Sequence, residues 1–290
     1  MPELTSTQLA SRRDGMGATD IVEVCGLAPW EGAGPWRVWN AKLGIAPLSD
    51  PTEEQRWGHQ LERVIGRWYE GNVGHFDPCG ESTRHPFIDA VWATLDGITP
   101  DRTIEIKNVG GFMCKDWDVT NPDGVPHYVR AQVQIGMACA ERDECHVVAS
   151  LAGRPPEMWT VRYDHALANM LLERAGAFWR SVLMRQEPKI DDSDACREYL
   201  QSKYPRDERA MLIDVSPDKV RLLDRIGSER AEKAARIKED SASVRSLDSY
   251  LLDIIGPHKG YEGDGWKMTW KVGRDGKRRS RFTVKGESDE

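Results

Sequence analysis

The sequence has six cysteines but no Cys-x-x-Cys pair. Zinc ribbons and disulfide-stapled small domains need cysteines in closely spaced, regular groups, so neither class is indicated. Cys139 and Cys145 stand six residues apart, and an iron–sulfur cluster needs a tighter group than this. We therefore expect reduced thiols and no iron–sulfur cluster.

Long apolar runs are also missing. No stretch reaches the roughly 20 residues that a membrane-spanning helix needs. The N-terminus, which includes Glu3, lacks the basic and apolar regions of a signal peptide. With 39% hydrophobic and 30% charged residues, the 290-residue chain is typical of a soluble globular protein with one large or two smaller domains. We expect it to reside in the cytoplasm.

The net charge of −7 does not by itself favour a nucleic-acid partner. Charge is uneven, however, because residues 259–285 contain nine Lys or Arg against three acids. Aromatic residues are interleaved with them at Tyr261, Trp266, Trp270 and Phe282. Such a segment suits contacts with phosphates and bases, and a solvated hairpin with a packed tryptophan face is the alternative.

Two carboxylates and a lysine are predicted to meet in a β-hairpin. Glu105 and Lys107 lie two apart in a β-branched run, residues 103–109, that predicts a strand, so both side chains share one face. Asp96 lies at the end of a second predicted strand, residues 90–97, and turn residues follow it. A hairpin of these strands sets Asp96 beside Glu105.

Crowded carboxylates repel each other unless a cation binds them or a proton neutralises one of them. Oxygen ligands of this kind favour Mg²⁺, with Mn²⁺ as a substitute. In such a site a bound metal polarises a phosphoryl oxygen and generates hydroxide from water, while Lys107 orients that water or stabilises developing charge. The pattern predicts metal-assisted hydrolysis of a phosphodiester.

The tripeptide acid-x-Lys is weak evidence alone, because it recurs as Glu187-Pro188-Lys189 and Asp275-Gly276-Lys277. The first contains a proline after a helical stretch and the second lies in a glycine turn, so neither offers a strand with a neighbouring aspartate. A purely structural role for the acids and the lysine remains the alternative.

Periodicity, caps and turn residues predict an α/β fold with a central mixed sheet and helices on both sides. In the first helix, Thr19 is the expected N-cap and Gly26 the terminator. Glu62 falls beside the apolar stripe of the third helix, where a surface acid is the ordinary interpretation. The predicted helices cover residues 15–26, 35–44, 51–69, 126–140, 164–185, 217–240 and 244–255, and the predicted strands cover 90–97, 103–109, 146–151 and 158–162.

The composition shifts after residue 188. We therefore expect a core at residues 1–188 and a C-terminal extension at residues 189–290, made of helices and a basic β-hairpin.

Five motifs in this order resemble the lambda exonuclease family, in particular its YqaJ-type viral recombinase branch, within the PD-(D/E)XK nucleases. The resemblance covers about residues 10–185. The motifs are RDGMGATDI at 13–21, RWGHQLE at 56–62, TLDG at 94–97, EIK at 105–107 and the segment 128–134 that ends in QVQ. It implies a restriction-endonuclease-like core.

The resemblance also implies roles for individual residues. Asp96, Glu105 and the carbonyl of Ile106 would hold Mg²⁺ with Glu62, and Lys107 would serve the attacking water. Gln132 would support the active site or the DNA end. A terminal 5′ phosphate would be bound by Arg13, Thr19 and Thr94, which is sensible chemistry for a guanidinium and two hydroxyls, and Tyr128 would contact DNA with Gln132.

The implied activity is a Mg²⁺-dependent exonuclease that degrades linear double-stranded DNA from 5′ to 3′ in phage-type homologous recombination. Implied partners are DNA ends and a single-strand annealing protein, and the implied assembly is a trimer of this chain. The alternatives are a structure-specific or nicking endonuclease of the same fold, and a non-catalytic DNA-binding accessory protein.

Overall fold

The computed structural model describes residues 12–46, 52–79, 82–117, 123–205, 216–256, 258–272 and 278–284. The chain divides into two compact units, Met1–Arg206 and Asp207–Glu290. Within the described ranges, no helix has the length and apolar character needed to cross a membrane.

The first unit contains both helices and short strands. Its helices are α1 (Ala18–Val24), α2 (Pro35–Lys42), α3 (Glu53–Asn72), α4 (His127–Ala140), α5 (His165–Leu183) and α6 (Asp194–Lys203), with a 3-10 helix at Gly111–Asp116. Its strands are β1 (Met16–Gly17), β2 (Asp77–Pro78), β3 (Ser82–Arg84), β4 (Val91–Thr94), β5 (Gly97–Ile98), β6 (Thr103–Val109), β7 (Glu144–Leu151) and β8 (Glu157–Arg162).

A five-stranded sheet in the order β2-β5-β6-β7-β8 forms the centre of the first unit. The pair β6–β7 is parallel and the other pairs are antiparallel. A parallel pair needs a crossover connection, and α4 lies in the connection between β6 and β7. The prediction of a mixed central sheet is confirmed.

Alternation along β6 separates the apolar from the charged side chains. Ile104 and Ile106 are buried in a cluster with Ile65 and Tyr69 of α3. Glu105 and Lys107 point the other way, toward α4, where Gln132 contacts both. The sheet therefore has helices on both faces, and the face toward α4 carries the charged residues.

The predicted strand at residues 90–97 is interrupted at Leu95 and Asp96. Its first part, β4, belongs to a second, small sheet in the order β1-β4-β3, and its last part, β5, belongs to the five-stranded sheet. Asp96 therefore lies where the chain passes from one sheet to the other.

The start of α1 corrects the predicted cap. Thr19 lies inside the helix and is exposed, whereas Gly17 is the N-cap residue and its amide donates to Asp20 Oδ2 at 2.8 Å. Gly17 also pairs with Trp92 of β4, whose ring would lie 2.8 Å from a Cβ at this position. Strand pairing thus fixes where the helix begins. Gly26, with φ +69°, follows the last turn as predicted.

Helix α6 packs with the first unit, although it follows residue 188. Cys196 of α6 is buried with Trp36 and Trp39 of α2, and Trp36 Nε1 donates to the carbonyl of Lys189 at 2.8 Å. Both tryptophans are core residues, and the two compact units of the chain divide after Arg206.

In its described residues, the second unit contains one long helix and a three-stranded antiparallel sheet. The helix is α7 (Pro217–Ile255), and the strands β9 (Gly260–Gly263), β10 (Trp266–Val272) and β11 (Arg278–Val284) follow in the order β11-β10-β9. The predicted hairpin is present as β10 and β11. The prediction of two helices, 217–240 and 244–255, is wrong, because residues 228–255 contain no glycine or proline to end a helix.

Candidate active site

The hairpin register brings Asp96 to Glu105. Gly97 pairs with Ile104 and Ile98 with Thr103. One residue further from the turn, this register sets Asp96 opposite Glu105. The main-chain amide of Ile106 donates to Asp96 Oδ2 at 2.7 Å. The predicted meeting of the two carboxylates is confirmed.

Gln132 of α4 joins the charged residues of β6. Its Nε2 donates to Glu105 Oε1 at 2.8 Å, and its Oε1 accepts from Lys107 Nζ at 3.1 Å. Lys107 Nζ also lies 2.5 Å from Glu105 Oε1. Each of the three side chains thus contacts the other two, and Gln132 fixes the separation of the carboxylate from the ammonium.

Burial and mutual charge set the protonation states of the site. Burial raises the pKa of Asp96 well above its ordinary value, and the nearby Glu105 carboxylate raises it further against the lowering effects of Lys107 and the Ile106 amide. Burial alone would lower the pKa of Lys107, but Glu105 and Asp96 outweigh it and raise the pKa. Lys107 therefore stays an ammonium and donates hydrogen bonds rather than accepting a proton.

Glu62 approaches the site from α3. Its carboxylate accepts from His59 Nδ1 at 3.1 Å, and its charge is one of the influences that raise the pKa of Asp96. In the part of the chain that the structure describes, no three Asp, Glu, His or Cys side chains form a ready-made metal cluster. Glu62 is thus near Asp96, and its role as a metal ligand stays a prediction.

The donor set at Asp96 and Glu105 fits Mg²⁺. This ion usually binds through one or two carboxylates and completes its shell with waters and substrate phosphates. The Glu105 carboxylate raises the pKa of Asp96, and two acids in this arrangement gain from a nearby cation. The carbonyl of Ile106, between Glu105 and Lys107 on β6, could add a third oxygen.

The residues predicted to bind a 5′ phosphate lie on three separate segments of the chain. Thr94 ends β4, two residues before Asp96, and its hydroxyl lies 3.2 Å from that of Ser82. Thr19 is exposed in the first turn of α1. The guanidinium of Arg13 packs against Gly44.

Tyr128 lies one turn before Gln132 on α4, so both face the same side. Burial raises the pKa of Tyr128 while the positive charge of Lys107 lowers it, which places the phenol near the lysine. Trp30 packs edge-on against Tyr128 with ring centroids 6.1 Å apart. Sequence reasoning missed Trp30, because a lone tryptophan in a loop carries no periodic signal.

Lys42 is a second residue that the sequence did not reveal. Its buried Nζ donates to the carbonyl of Arg12 at 2.6 Å and lies 2.5 Å from Asp20 Oδ2. The same carboxylate oxygen accepts from the amide of Gly17. Lys42 thus ties the segment before β1 to the start of α1, where Arg13 and Thr19 lie. The spacing Gly17-x-x-Asp20 is a local signal that would have indicated this cap.

Comparison with known proteins supports the family resemblance. Residues 8–143 match the YqaJ-like viral recombinase domain. The matched segment contains the carboxylate pair, Lys107 and Gln132, so the resemblance indicated by the motifs is confirmed. Over 254 residues the chain is also 26% identical to the uncharacterized protein YqaJ of Bacillus subtilis (strain 168), covering 85% of this chain and 76% of that protein.

Two solved structures share the fold of most of this chain. An alkaline exonuclease from Laribacter hongkongensis, LHK-Exo, superposes with a TM-score of 0.52 at 20% identity, and LHK-Exo in complex with dAMP superposes with a TM-score of 0.53 at 20% identity. Both superpositions cover 69% of this chain and 97% of the LHK-Exo chain. The mixed sheet with its flanking helices is therefore a restriction-endonuclease-like core, as predicted.

Proposed function

We propose that this protein is a metal-dependent nuclease that hydrolyses DNA in recombination. The observation that carries the proposal is the set formed by Asp96, Glu105, Lys107 and Gln132. The match to a viral recombinase domain and the likeness in fold to an alkaline exonuclease support the same activity. More finely, we propose an exonuclease that degrades linear double-stranded DNA from the 5′ end, using Mg²⁺ or, in its place, Mn²⁺.

The residues of the site have distinct roles in this proposal. Asp96, Glu105 and the Ile106 carbonyl would hold Mg²⁺, with Glu62 at longer range, and the ion supplies Lewis acidity and a nucleophilic water when bound. Lys107, which stays protonated, orients that water and stabilises negative charge on the phosphorus oxygens. Gln132 holds Lys107 and Glu105 in their relative positions.

Recognition of the DNA end is proposed for residues around the carboxylates. Arg13, Thr19 and Thr94 would bind a terminal 5′ phosphate, and Tyr128 with Gln132 would contact the adjacent nucleotide. The guanidinium and the hydroxyls suit a phosphate. The complex of LHK-Exo with dAMP, a nucleoside monophosphate, is consistent with a nucleotide subsite in this fold.

The proposed partners extend beyond the DNA end. A single-strand annealing protein would take up the 3′ overhang that remains after 5′ strand degradation. The basic and aromatic segment at residues 259–285 offers charge for the DNA backbone. A trimer around the duplex is the assembly that the family resemblance implies.

The test compares the protein with its Lys107→Ala variant on matched linear and covalently closed circular duplexes, the linear ones labelled at the 5′ or the 3′ end. We expect Mg²⁺-dependent loss of linear DNA only, beginning at the 5′ label and absent in the variant. Cut circles would instead indicate a structure-specific or nicking endonuclease. DNA that is bound but intact with both metals would indicate a non-catalytic accessory protein.

A further inference from the structure

Helix α7 presents a long apolar stripe to solvent. Its 39 residues span roughly 58 Å at about 1.5 Å per residue. Ten large apolar residues on it are at least 41% exposed: Val220, Leu222, Leu223, Ile226, Ile237, Val244, Leu247, Tyr250, Leu252 and Ile254. Single exposed apolar residues are ordinary, but ten on one helix are not.

The spacing of these residues is that of a coiled-coil seam. Alternating steps of three and four residues run through eight positions, which we call the α7 stripe: Leu223, Ile226, Arg230, Lys233, Ile237, Asp240, Val244 and Leu247. The steps continue to Ile254. Val220, Leu222 and Tyr250 flank the stripe, and Leu252 lies away from it. A helix with such a seam gains its stability from packing against another helix.

We propose that α7 pairs with α7 of a second copy of this chain in an antiparallel, two-fold symmetric coiled coil. One register matches every position of the stripe. Leu223 then lies opposite Leu247 of the second copy, and Ile226 lies opposite Val244. The charged positions are matched in the same register, because Arg230 lies opposite Asp240, and two-fold symmetry repeats each pair.

At the remaining position of the stripe, Lys233 lies opposite Ile237 of the second copy. The ammonium of Lys233 is already 2.8 Å from Glu229 Oε1 at the edge of the stripe. Its aliphatic stem can therefore cover Ile237 while the charge stays in water. The same register brings Leu222 on the flank to Tyr250 of the second copy.

Other pairings of the same helix set like charges together or set a charge against an apolar residue. A parallel pair sets Arg230, Lys233 and Asp240 each against its own copy, which repels. An antiparallel pair shifted by one heptad sets Asp240 against Ile237 in one direction and against Leu223 in the other. Only the register with Arg230 opposite Asp240 pairs the charges and buries apolar residues against each other.

Charge exchange tests this pairing on the full chain by analytical ultracentrifugation at micromolar concentration. Arg230→Asp and Asp240→Arg should each weaken the association of the two copies by at least about tenfold. Each variant sets like charges opposite each other at positions 230 and 240, and two-fold symmetry makes this contact twice. The double variant should restore association to within about threefold of the unchanged chain. Loss of the α7 pairing separates the two copies and so halves the mass of the assembly. This holds whatever contacts the first unit adds.

Leu247→Glu and Leu252→Glu form a matched pair of variants, because both introduce a carboxylate on the exposed surface of α7. The first should break the pairing and the second should leave it intact. Circular dichroism checks that both retain the helix. Equal behaviour of the two variants, or an unchanged chain that sediments as a monomer, would overturn the proposal.

Direction is tested by oxidation of cysteine variants, with the unchanged chain as a control for its native thiols. Mixing Ile226→Cys with Val244→Cys should give a cross-linked heterodimer, whereas each variant alone should give none. Cross-linking of each variant with itself would show a parallel pair and contradict the antiparallel register.

Discussion

The main-chain amide of Ile106 donates a hydrogen bond of 2.7 Å to the carboxylate of Asp96. The backbone of the strand that carries Glu105 and Lys107 thus holds the carboxylate of Asp96, which directly precedes β5. Asp96 is therefore fixed to the same strand as its two partners, so that its geometry depends on the hairpin and not on a mobile loop. A preorganised carboxylate pair of this kind needs little rearrangement to accept a cation.

Replacement of Lys107 should impair cleavage and leave DNA binding intact. We expect Lys107→Ala to lower the rate of cleavage by about 10²–10³-fold, because the ammonium stabilises charge that develops in the transition state. Rates with saturating linear duplex and Mg²⁺, together with DNA affinity by filter binding, measure the two effects. The control is Lys189→Ala, which alters the exposed lysine of another acid-x-Lys tripeptide, Glu187-Pro188-Lys189. An active Lys107→Ala protein would show that the site is misassigned.

Two glutamines on α4 should behave differently although they are two residues apart. Gln132 contacts Glu105 and Lys107, so Gln132→Ala should reduce the cleavage rate by about 10–100-fold with little loss of stability. Gln134 is fully buried, donates to the carbonyl of Arg162 and accepts from the amide of Asp164, each at 2.8 Å. Gln134→Ala should therefore cost roughly 2 kcal/mol or more in the free energy of unfolding. Urea unfolding and cleavage rates separate the two cases, and a stability loss shared equally by both variants would contradict the assignment.

Removal of metal ligands should show an order between Glu105 and Glu62. EDTA should abolish cleavage and added Mg²⁺ should restore it. Glu105→Gln should prevent binding of Mn²⁺ in calorimetric titrations, whereas Glu62→Gln should weaken it by only about tenfold, since metal affinity is less sensitive to groups around the direct ligands. Glu70→Gln on the exposed side of α3 is the control. If Glu62→Gln and Glu70→Gln bind Mn²⁺ equally well, Glu62 does not belong to the site.

A buried histidine should make the fold sensitive to acid. His146 lies between the hydroxyl of Tyr69 at 2.8 Å and the guanidinium of Arg102 at 2.6 Å, with the Glu144 carboxylate 3.3 Å away. Burial and the charge of Arg102 lower the pKa of His146 below its ordinary value of 6.5, against the raising effect of Glu144. The unfolded chain therefore takes up a proton before the folded chain does as the pH falls.

It follows that the free energy of unfolding decreases as the pH falls below about 6.5 and is unaffected by this group at higher pH. Urea unfolding across this range measures the slope, and His146→Gln should flatten it. His75→Gln serves as a control because the His75 side chain is 78% exposed. A wild-type slope in His146→Gln would mean that other groups dominate the acid response.

The sequence was sufficient to predict the hairpin at the centre of the site. Asp96 and Glu105 are close in sequence, so strand periodicity and a turn determine their meeting. Gln132 differs, because 27 residues separate it from Glu105, and periodicity says nothing about which helix crosses which strand. The family resemblance predicted that Gln132 belongs to the site. In the folded chain, tertiary packing places it there.

Other features depend on contacts that no local pattern carries. The strands β2 and β3 have two and three residues, too few to show an alternation. Thr19 was expected to cap α1, yet pairing of Gly17 with β4 moved the start of the helix. Lys42 looks like a surface lysine at the end of α2, and its burial results from the carboxylate of Asp20 and the carbonyl of Arg12.

The short span between Asp96 and Glu105 also bears on how the chain folds. A β-hairpin of this size closes in about 1–10 μs, whereas the parallel pairing of β6 with β7 must wait for the long connection through α4. We therefore expect the two carboxylates to come together early, before Gln132 arrives. The repulsion between them opposes an early step of folding, so divalent cations should speed refolding as well as stabilise the finished protein.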